Sequence, residues 1–245
     1  MYTDFASVYD HFMRDVDYPE WAARYASMLK KSAVKITECA CGTGSITLEL
    51  KKLGYDITGT DLSGDMLALA MERARREGLD IPYICGDMRQ LSVPSPRDAV
   101  LATCDGVNYL LSEKDVKRFF TAAYAALKNG GQLLFDISSA CKLENTLGNS
   151  TLTLDEEDGA YLWRNTFDKK KRTVSMELTL FIKDAAYAER FTRVREAQIQ
   201  RAHTREELEQ WLSDCGFTDI RVTGKKAGKA PGKTDDRLFF SAVKS

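Results

Sequence analysis

Between Val34 and Ile137, five short apolar runs alternate with segments of helical period, and that alternation restricts the chain to a parallel-sheet fold. The runs are Val34–Cys39, Tyr55–Asp61, Ile81–Cys85, Asp98–Thr103 and Gln132–Ile137. Helical periods fill Thr43–Lys52, Ser63–Glu77 and Asp115–Leu127. Strands joined through helices pair in parallel with right-handed crossovers, so the expected core is an α/β sheet of the Rossmann-like kind. Ser63 is a candidate N-cap, and Asn129-Gly130-Gly131 reads as the C-cap of the third helix. Upstream, the first 31 residues read as two helices, the second being Pro19–Lys31 with Trp21, Tyr25, Met28 and Leu29 on one face.

After about residue 140 the period changes. From Thr151 to about Arg201 no helical spacing appears, and Tyr161, Trp163 and Phe167 recur at even offsets. Val174, Met176, Leu178, Leu180 and Ile182 alternate beyond a turn at Asp168–Lys171, which predicts an antiparallel hairpin with one buried face. A strand near Phe191–Ile199 would extend it to a sheet of three or four strands. A capping box at Thr204-Arg205-Glu206-Glu207 opens a helix that stops at Cys215-Gly216, and strands Phe217–Val222 and Leu238–Val243 follow across a loop. The expected organisation is one α/β domain from residues 1–140 and 202–245, with residues 141–201 inserted as an antiparallel β subdomain.

Charge excludes some partners. Lys+Arg total 35 against 36 Asp+Glu, a formal net charge of -1, so no global field draws the chain onto nucleic acid or an anionic membrane. The basic runs Lys169–Arg172 and Lys225–Lys233 fall in a turn and a loop without interleaved aromatics, which reads as solvated surface. Met1–Tyr18 carries Asp4, Asp10, Asp15 and Asp17 where a secretion signal would be basic, and no apolar stretch approaches the roughly 18 residues of a membrane span. Six scattered cysteines fit free thiols, and the expected location is cytoplasmic. Cys39 and Cys41 have no second Cys/His pair nearby, so no metal site is expected.

The chemistry concentrates in Glu38-Cys-Ala-Cys-Gly-Thr-Gly-Ser45, where a strand ends in an acid and a glycine-containing turn opens a helix. Gly42 and Gly44 allow a sharp bend and close approach of a ligand. Asp61 ends the next strand, nineteen residues beyond Gly42, where a carboxylate can accept from ribose hydroxyls; the lesser reading is that it merely caps the helix at Ser63. A nicotinamide dinucleotide fits this block poorly. Ser45 stands where the dinucleotide fingerprint has its third glycine and Ala40 where it has its first; Glu38 would also repel a pyrophosphate. Cys85-Gly86-Asp87-Met88 adds a second strand-end acid, placed to accept from an adenine amino group. Two acids and an acidic loop suit a cationic nucleoside.

With these motifs in this order, the chain resembles the class I S-adenosylmethionine-dependent methyltransferases, and among them a small bacterial group with an antiparallel insert before the last helix. The resemblance spans the chain, including Tyr9-Asp10 and Gln200-Arg201-Ala202-His203. It implies a seven-stranded, mostly parallel sheet with the last strand antiparallel, plus the small β insert. It also implies S-adenosyl-L-methionine as cofactor, leaving as S-adenosyl-L-homocysteine. The Ala40–Gly44 loop, Thr43 included, would then meet the methionine portion, with Glu38 holding the loop. Asp61 would take the ribose, Leu62 and Met66 would flank the adenine, and Gly86, Asp87 and Met88 would meet its edge. Cys104 would face the amino group, Asp105 and Asn108 would lie beside the methyl, and Tyr9 and Trp21 would close the pocket.

Asp105 and His203 are the candidate general bases, if the acceptor must lose a proton. Asp105 also reads as a turn former before Gly106, and His203 as a local structural residue before a helix cap. The leading expectation is methyl transfer to a small-molecule acceptor with the insert as a lid. An RNA or protein methyltransferase and a non-catalytic cofactor-binding scaffold are the alternatives. A homodimer is left open.

Overall fold

The computed structural model describes residues 16–157, 159–184, 187, 190–226 and 228–245. At its centre, β1 (Lys35–Cys39) is buried from Ile36 onward because it pairs on both sides in parallel, with β2 (Asp56–Asp61) and β4 (Arg97–Ala102). Coverage on both faces buries the whole run, the polar Thr37 and Glu38 along with Ile36 and Cys39. The chain continues from β2 to β3 (Tyr83–Cys85) on one side; on the other, β4 pairs with β5 (Leu127–Ser138). Strand order therefore reverses between β1 and β4, the position where open α/β sheets hold ligands beyond the carboxyl ends of their strands.

The seven-stranded sheet has the order β10-β11-β5-β4-β1-β2-β3, with β10 (Phe217–Thr223) and β11 (Arg237–Lys244) at one edge. As the resemblance implies, β11 enters antiparallel to both neighbours. Around it lie α1 (Tyr18–Met28), α2 (Ser45–Lys52), α3 (Gly64–Arg76), α4 (Glu113–Ala126) and α5 (Arg205–Asp214). Phe119, Phe120, Phe135 and Phe240 form the centre of one core layer, with Phe135 and Phe240 stacked at 4.6 Å. Tyr25, Ile36, Leu134 and Phe239 anchor the layer under α1.

Several boundaries differ from the sequence expectation, α1 ending at Met28 and not at Lys31 among them, and two of the differences have a clear local cause. The helix α4 ends at Ala126 without a glycine cap: Leu127 is already extended, and Gly130 (φ 75) lies three residues inside β5. The second difference is that α2 starts at Ser45 and not at Thr43, because Gly42 and Gly44 are both left-handed. The predicted caps are otherwise present. The Ser63 side chain accepts from Met66 N, and the Thr204/Glu207 capping box is complete.

The insert forms a separate four-stranded antiparallel sheet, β6 (Thr151–Glu156), β7 (Gly159–Asp168), β8 (Thr173–Lys183) and β9 (Phe191–Arg201), in that order. Its inner face packs in two places. Val174 and Met176 meet Leu143, Leu147 and Ala202, while Leu180 and Val194 meet Met66 at the start of α3. Among the described residues no helix is long and apolar enough to cross a membrane.

Candidate functional site

The turn after β1 is built from left-handed residues: Ala40 (φ 52), Gly42 (φ 55) and Gly44 (φ 73). At Gly44 the need for glycine is also steric, since an added Cβ would lie 2.6 Å from the Tyr83 hydroxyl and 2.9 Å from Ala70 Cβ. Asp61, at the end of β2, fixes the turn. One carboxylate oxygen accepts Gly42 N at 2.8 Å and the other accepts Ser63 N at 2.9 Å. Ser63 in turn caps α3, so Asp61 supports that cap and also lines the cavity above the turn.

Above this turn lies a cavity of about 460 Å³, within the range of small-molecule sites. Ala40–Thr43, Asp61, Leu62, Met66, Gly86–Met88 and Cys104 line it, so ten of the sequence candidates share one wall system. A Cβ added at Gly42 or Gly86 would meet no protein atom within 4 Å; the space beside both glycines is open. The acids, the bare backbone and this volume fit a cationic nucleoside carrying an amino acid.

Glu38 stands behind the turn and does not line the cavity. It is buried, and its carboxyl accepts from Thr103 Oγ1 at 2.5 Å and from Thr47 Oγ1, tying β1 to α2 and the end of β4. Burial raises its pKa to about 7 against the pull of those hydroxyls. Asp87 is gripped by Arg89, whose Nε and Nη2 lie 2.9 Å and 2.6 Å from Oδ2; Arg89 also reaches Asp115 at 2.9 Å. That side-chain bond holds the Asp87 carboxyl below its ordinary range.

The segment after β4 carries two consecutive left-handed residues, Cys104 (φ 52) and Asp105 (φ 56). Such residues persist only where neighbours over-determine them. The restraint here is a buried polar network. Asp105 N donates to Asp136 Oδ2 at 3.0 Å, Gln200 Nε2 donates to Asp105 Oδ2 at 2.7 Å, and Arg237 Nη1 donates to Asp105 Oδ1 at 2.8 Å. Asp136 accepts from Arg237 and from Tyr25 Oη as well. Both Asp105 oxygens are thus occupied.

Other candidates lie away from the cavity. Asn108 is fully buried, donating to the carbonyls of Ser138 and Arg201 and accepting from Ser138 N, so it joins β5 to β9. His203 is also fully buried, with Nε2 3.0 Å from Leu110 O and its ring against Trp211; burial lowers its pKa to about 4. A neutral ring walled off in this way is a structural residue, not a base facing the cavity. Trp21 packs on Phe239 and under the Arg237 guanidinium. Tyr9 lies outside the described residues. The cavity wall also includes Tyr18, Arg89, Tyr109, Leu111 and Gln198, which the sequence reading did not single out. Gln198 lies on the expected strand near Phe191–Ile199, whose inward-facing positions only the structure shows.

Residues 36–131 match the methyltransferase-domain family. The chain is 33% identical to the putative methyltransferase GWCH70_2453 of Geobacillus sp. (strain WCH70), over 99% of this chain and 99% of that one. A crystal structure of an S-adenosylmethionine-dependent methyltransferase from Clostridium acetobutylicum ATCC 824 superposes with a TM-score of 0.89 at 29% identity, covering 100% of this chain and 99% of the other. The glycine/sarcosine N-methyltransferase of Halorhodospira halochloris is 29% identical over 130 residues, 49% of this chain and 48% of that enzyme. The fold, the cavity at the strand-order reversal and the two full-length matches agree: the chain belongs to the class I S-adenosylmethionine-dependent methyltransferases.

Proposed function

We propose that this enzyme transfers the methyl group of S-adenosylmethionine to a small-molecule acceptor, with the cofactor in the cavity over β1, β2 and β4. The observation that carries this reading is Asp61, whose two oxygens hold the Gly42 and Ser63 amides while the residue faces the cavity. In this reading its remaining lone pairs accept from the two vicinal hydroxyls of the ribose. Leu62 and Met66 supply apolar faces for the adenine, and Asp87 with the Met88 backbone supplies its polar edge. The Ala40–Thr43 backbone and Cys104 border the methionine end, with Glu38 acting through the turn it supports.

The bound sulfonium supplies an activated methyl group, so the chain's own work is to bind, align and exclude water. Asp105, held by Arg237 and Gln200, fixes the segment after β4 and takes no proton in this reading. The four-stranded sheet stands over the acceptor side, bringing Gln198 to the cavity wall, where it accepts from Tyr109 Oη at 2.7 Å. Partial similarity to a glycine/sarcosine N-methyltransferase supports a small acceptor. So does a near-neutral charge, which gives no footprint for RNA. Incubating the enzyme with methyl-labelled cofactor and separate small-molecule, RNA and protein fractions tests this. Label should appear in the small-molecule fraction; label confined to RNA or protein would overturn the acceptor assignment.

A further inference from the structure

On the cavity wall, one arginine supplies three donors to the acid beside it. Asp87 opens the short turn Met88–Gln90, and its Oδ1 caps that turn by accepting Arg89 N at 2.9 Å. The Arg89 side chain then folds back onto the same carboxylate. Its Nε lies 3.0 Å from Oδ1 and 2.9 Å from Oδ2, and its Nη2 lies 2.6 Å from Oδ2. A carboxylate has about four acceptor directions, so the three N–H groups of Arg89 leave roughly one open.

The guanidinium is itself held from a second element. Its Nη1 donates to Asp115 Oδ1 at 2.9 Å, and Asp115 Oδ2 accepts from Ser112 Oγ at 2.7 Å, where Ser112 is the N-cap of α4. The end of β3 and the start of α4 therefore fix the orientation of Asp87 jointly. Asp87, Arg89 and Asp115 all line the cavity, with side chains 20%, 33% and 26% exposed. Ion pairs this accessible to water add little stability. What the fork supplies is direction, because a planar guanidinium bonded along both oxygens sets the plane of the carboxylate.

We propose that Arg89 is the positioning residue for the cofactor's base: its fork turns the open acceptor direction of Asp87 into the cavity, where it selects a purine that carries an exocyclic amino group. This rests on the reading of Asp87 as the acid at the adenine edge. A purine without that group leaves the carboxylate facing the ring with no donor, and the fork keeps it from rotating away. Without the fork, Asp87 turns towards water and the selection is lost.

The test compares S-adenosylhomocysteine with its analogue carrying purine in place of adenine, by calorimetric titration of the full chain, Arg89→Met and Arg89→Lys. The parent should bind the adenine compound at least about tenfold more tightly, the loss expected when a hydrogen bond to a charged group goes unmade. Arg89→Met should bring that ratio below about threefold by weakening the adenine compound. A merely structural role for Arg89 would weaken both compounds alike and leave the ratio in place, and that result overturns the proposal. Arg89→Lys keeps the charge and loses the fork, so its ratio should fall too. A lysine ratio equal to the parent's would show that charge alone suffices, which contradicts positioning by the fork; this variant decides the matter if the methionine one fails to fold. A parent that binds both compounds equally removes the Asp87 reading and the proposal with it. A parent that prefers adenine, with the ratio kept in both variants, removes only the role of Arg89. Failure of the parent to bind either compound would overturn the cofactor cavity and the proposal together.

Discussion

Arg237 Nη1 lies 2.8 Å from Asp105 Oδ1 and donates to Asp136 as well, so one guanidinium joins the end of β5 to the left-handed turn after β4. Burial opposes a charge at Arg237, yet the two carboxylates raise its pKa above the ordinary arginine range. Asp136 is fully buried, and burial raises its own pKa despite this partner. The pair orders the cavity's floor from outside the cavity.

Arg237→Met should therefore cost about 3–5 kcal/mol in urea unfolding, since it strands the Asp136 carboxylate in the interior. Adding Asp136→Asn should recover a substantial part of that loss by removing the stranded charge. If Arg237→Met unfolds within about 0.5 kcal/mol of the parent, the network does not hold the turn.

Glu38 gives stability a pH dependence of unusual sign for a carboxyl. Its folded pKa, about 7, lies above the ordinary value of 4.5, so between these the folded chain holds a proton that the unfolded chain has released. Stability from this group is full below pH 4.5 and falls as pH rises towards 7, by up to about 3 kcal/mol. Glu38→Gln should lack that fall, and its melting temperature should gain on the parent between pH 5 and 8. A nearby cationic cofactor favours the ionised form, so binding at pH 6.5 should release a proton. Calorimetry in two buffers of different ionisation enthalpy would detect it.

His203 pushes the other way. Its folded pKa of about 4 lies below the ordinary 6.5, so the unfolded chain takes up the extra proton between these values. Stability is full above 6.5 and falls as pH drops towards 4. His203→Phe should remove that acid-side fall and cost about 1–3 kcal/mol at pH 7.5, because Leu110 O loses its donor. The pH profile of methyl transfer should not move between pH 6 and 8. A shifted profile would return His203 to the candidate bases.

Most of the architecture was legible because periodicity reports burial. The β1 run, the Thr204 capping box and the even spacing from Val174 to Ile182 each became the element they suggested. The turn residues and strand-end acids marked the cavity for the same reason: few backbone paths join β1 to α2, and Asp61 follows from them. The partners of Asp105, Glu38 and Asp87 were not legible. Arg237 is 132 residues from Asp105, and local pattern carries no signal of such a contact. Asn108 and His203 bond to buried carbonyls, and in sequence a polar residue near a strand end looks the same whether it faces a ligand or satisfies such groups. Helix α4 lacks a glycine cap because the chain enters β5 directly, so its nearby glycines serve the strand.

Ala40 and Gly106 are sterically coupled: a Cβ on Gly106 would lie 3.1 Å from Ala40 Cβ. Gly106→Ala should cost about 1 kcal/mol in the parent and less in an Ala40→Gly background, where the opposing methyl is gone. Ala40→Gly alone should be neutral or stabilising by up to about 1 kcal/mol, because Ala40 is held at φ 52. Equal costs of Gly106→Ala in the two backgrounds would show that the contact is not felt.

The central claim, that the cavity beside Asp61 binds the methyl donor, is tested most directly by calorimetric titration of the chain and of Asp61→Ala with S-adenosylmethionine and S-adenosylhomocysteine. The structure predicts micromolar binding of both, weakened at least about tenfold in the variant through loss of a charge-assisted contact and of the Gly42 and Ser63 anchors. Failure of the parent to bind either compound, or equal affinity in Asp61→Ala, would contradict it.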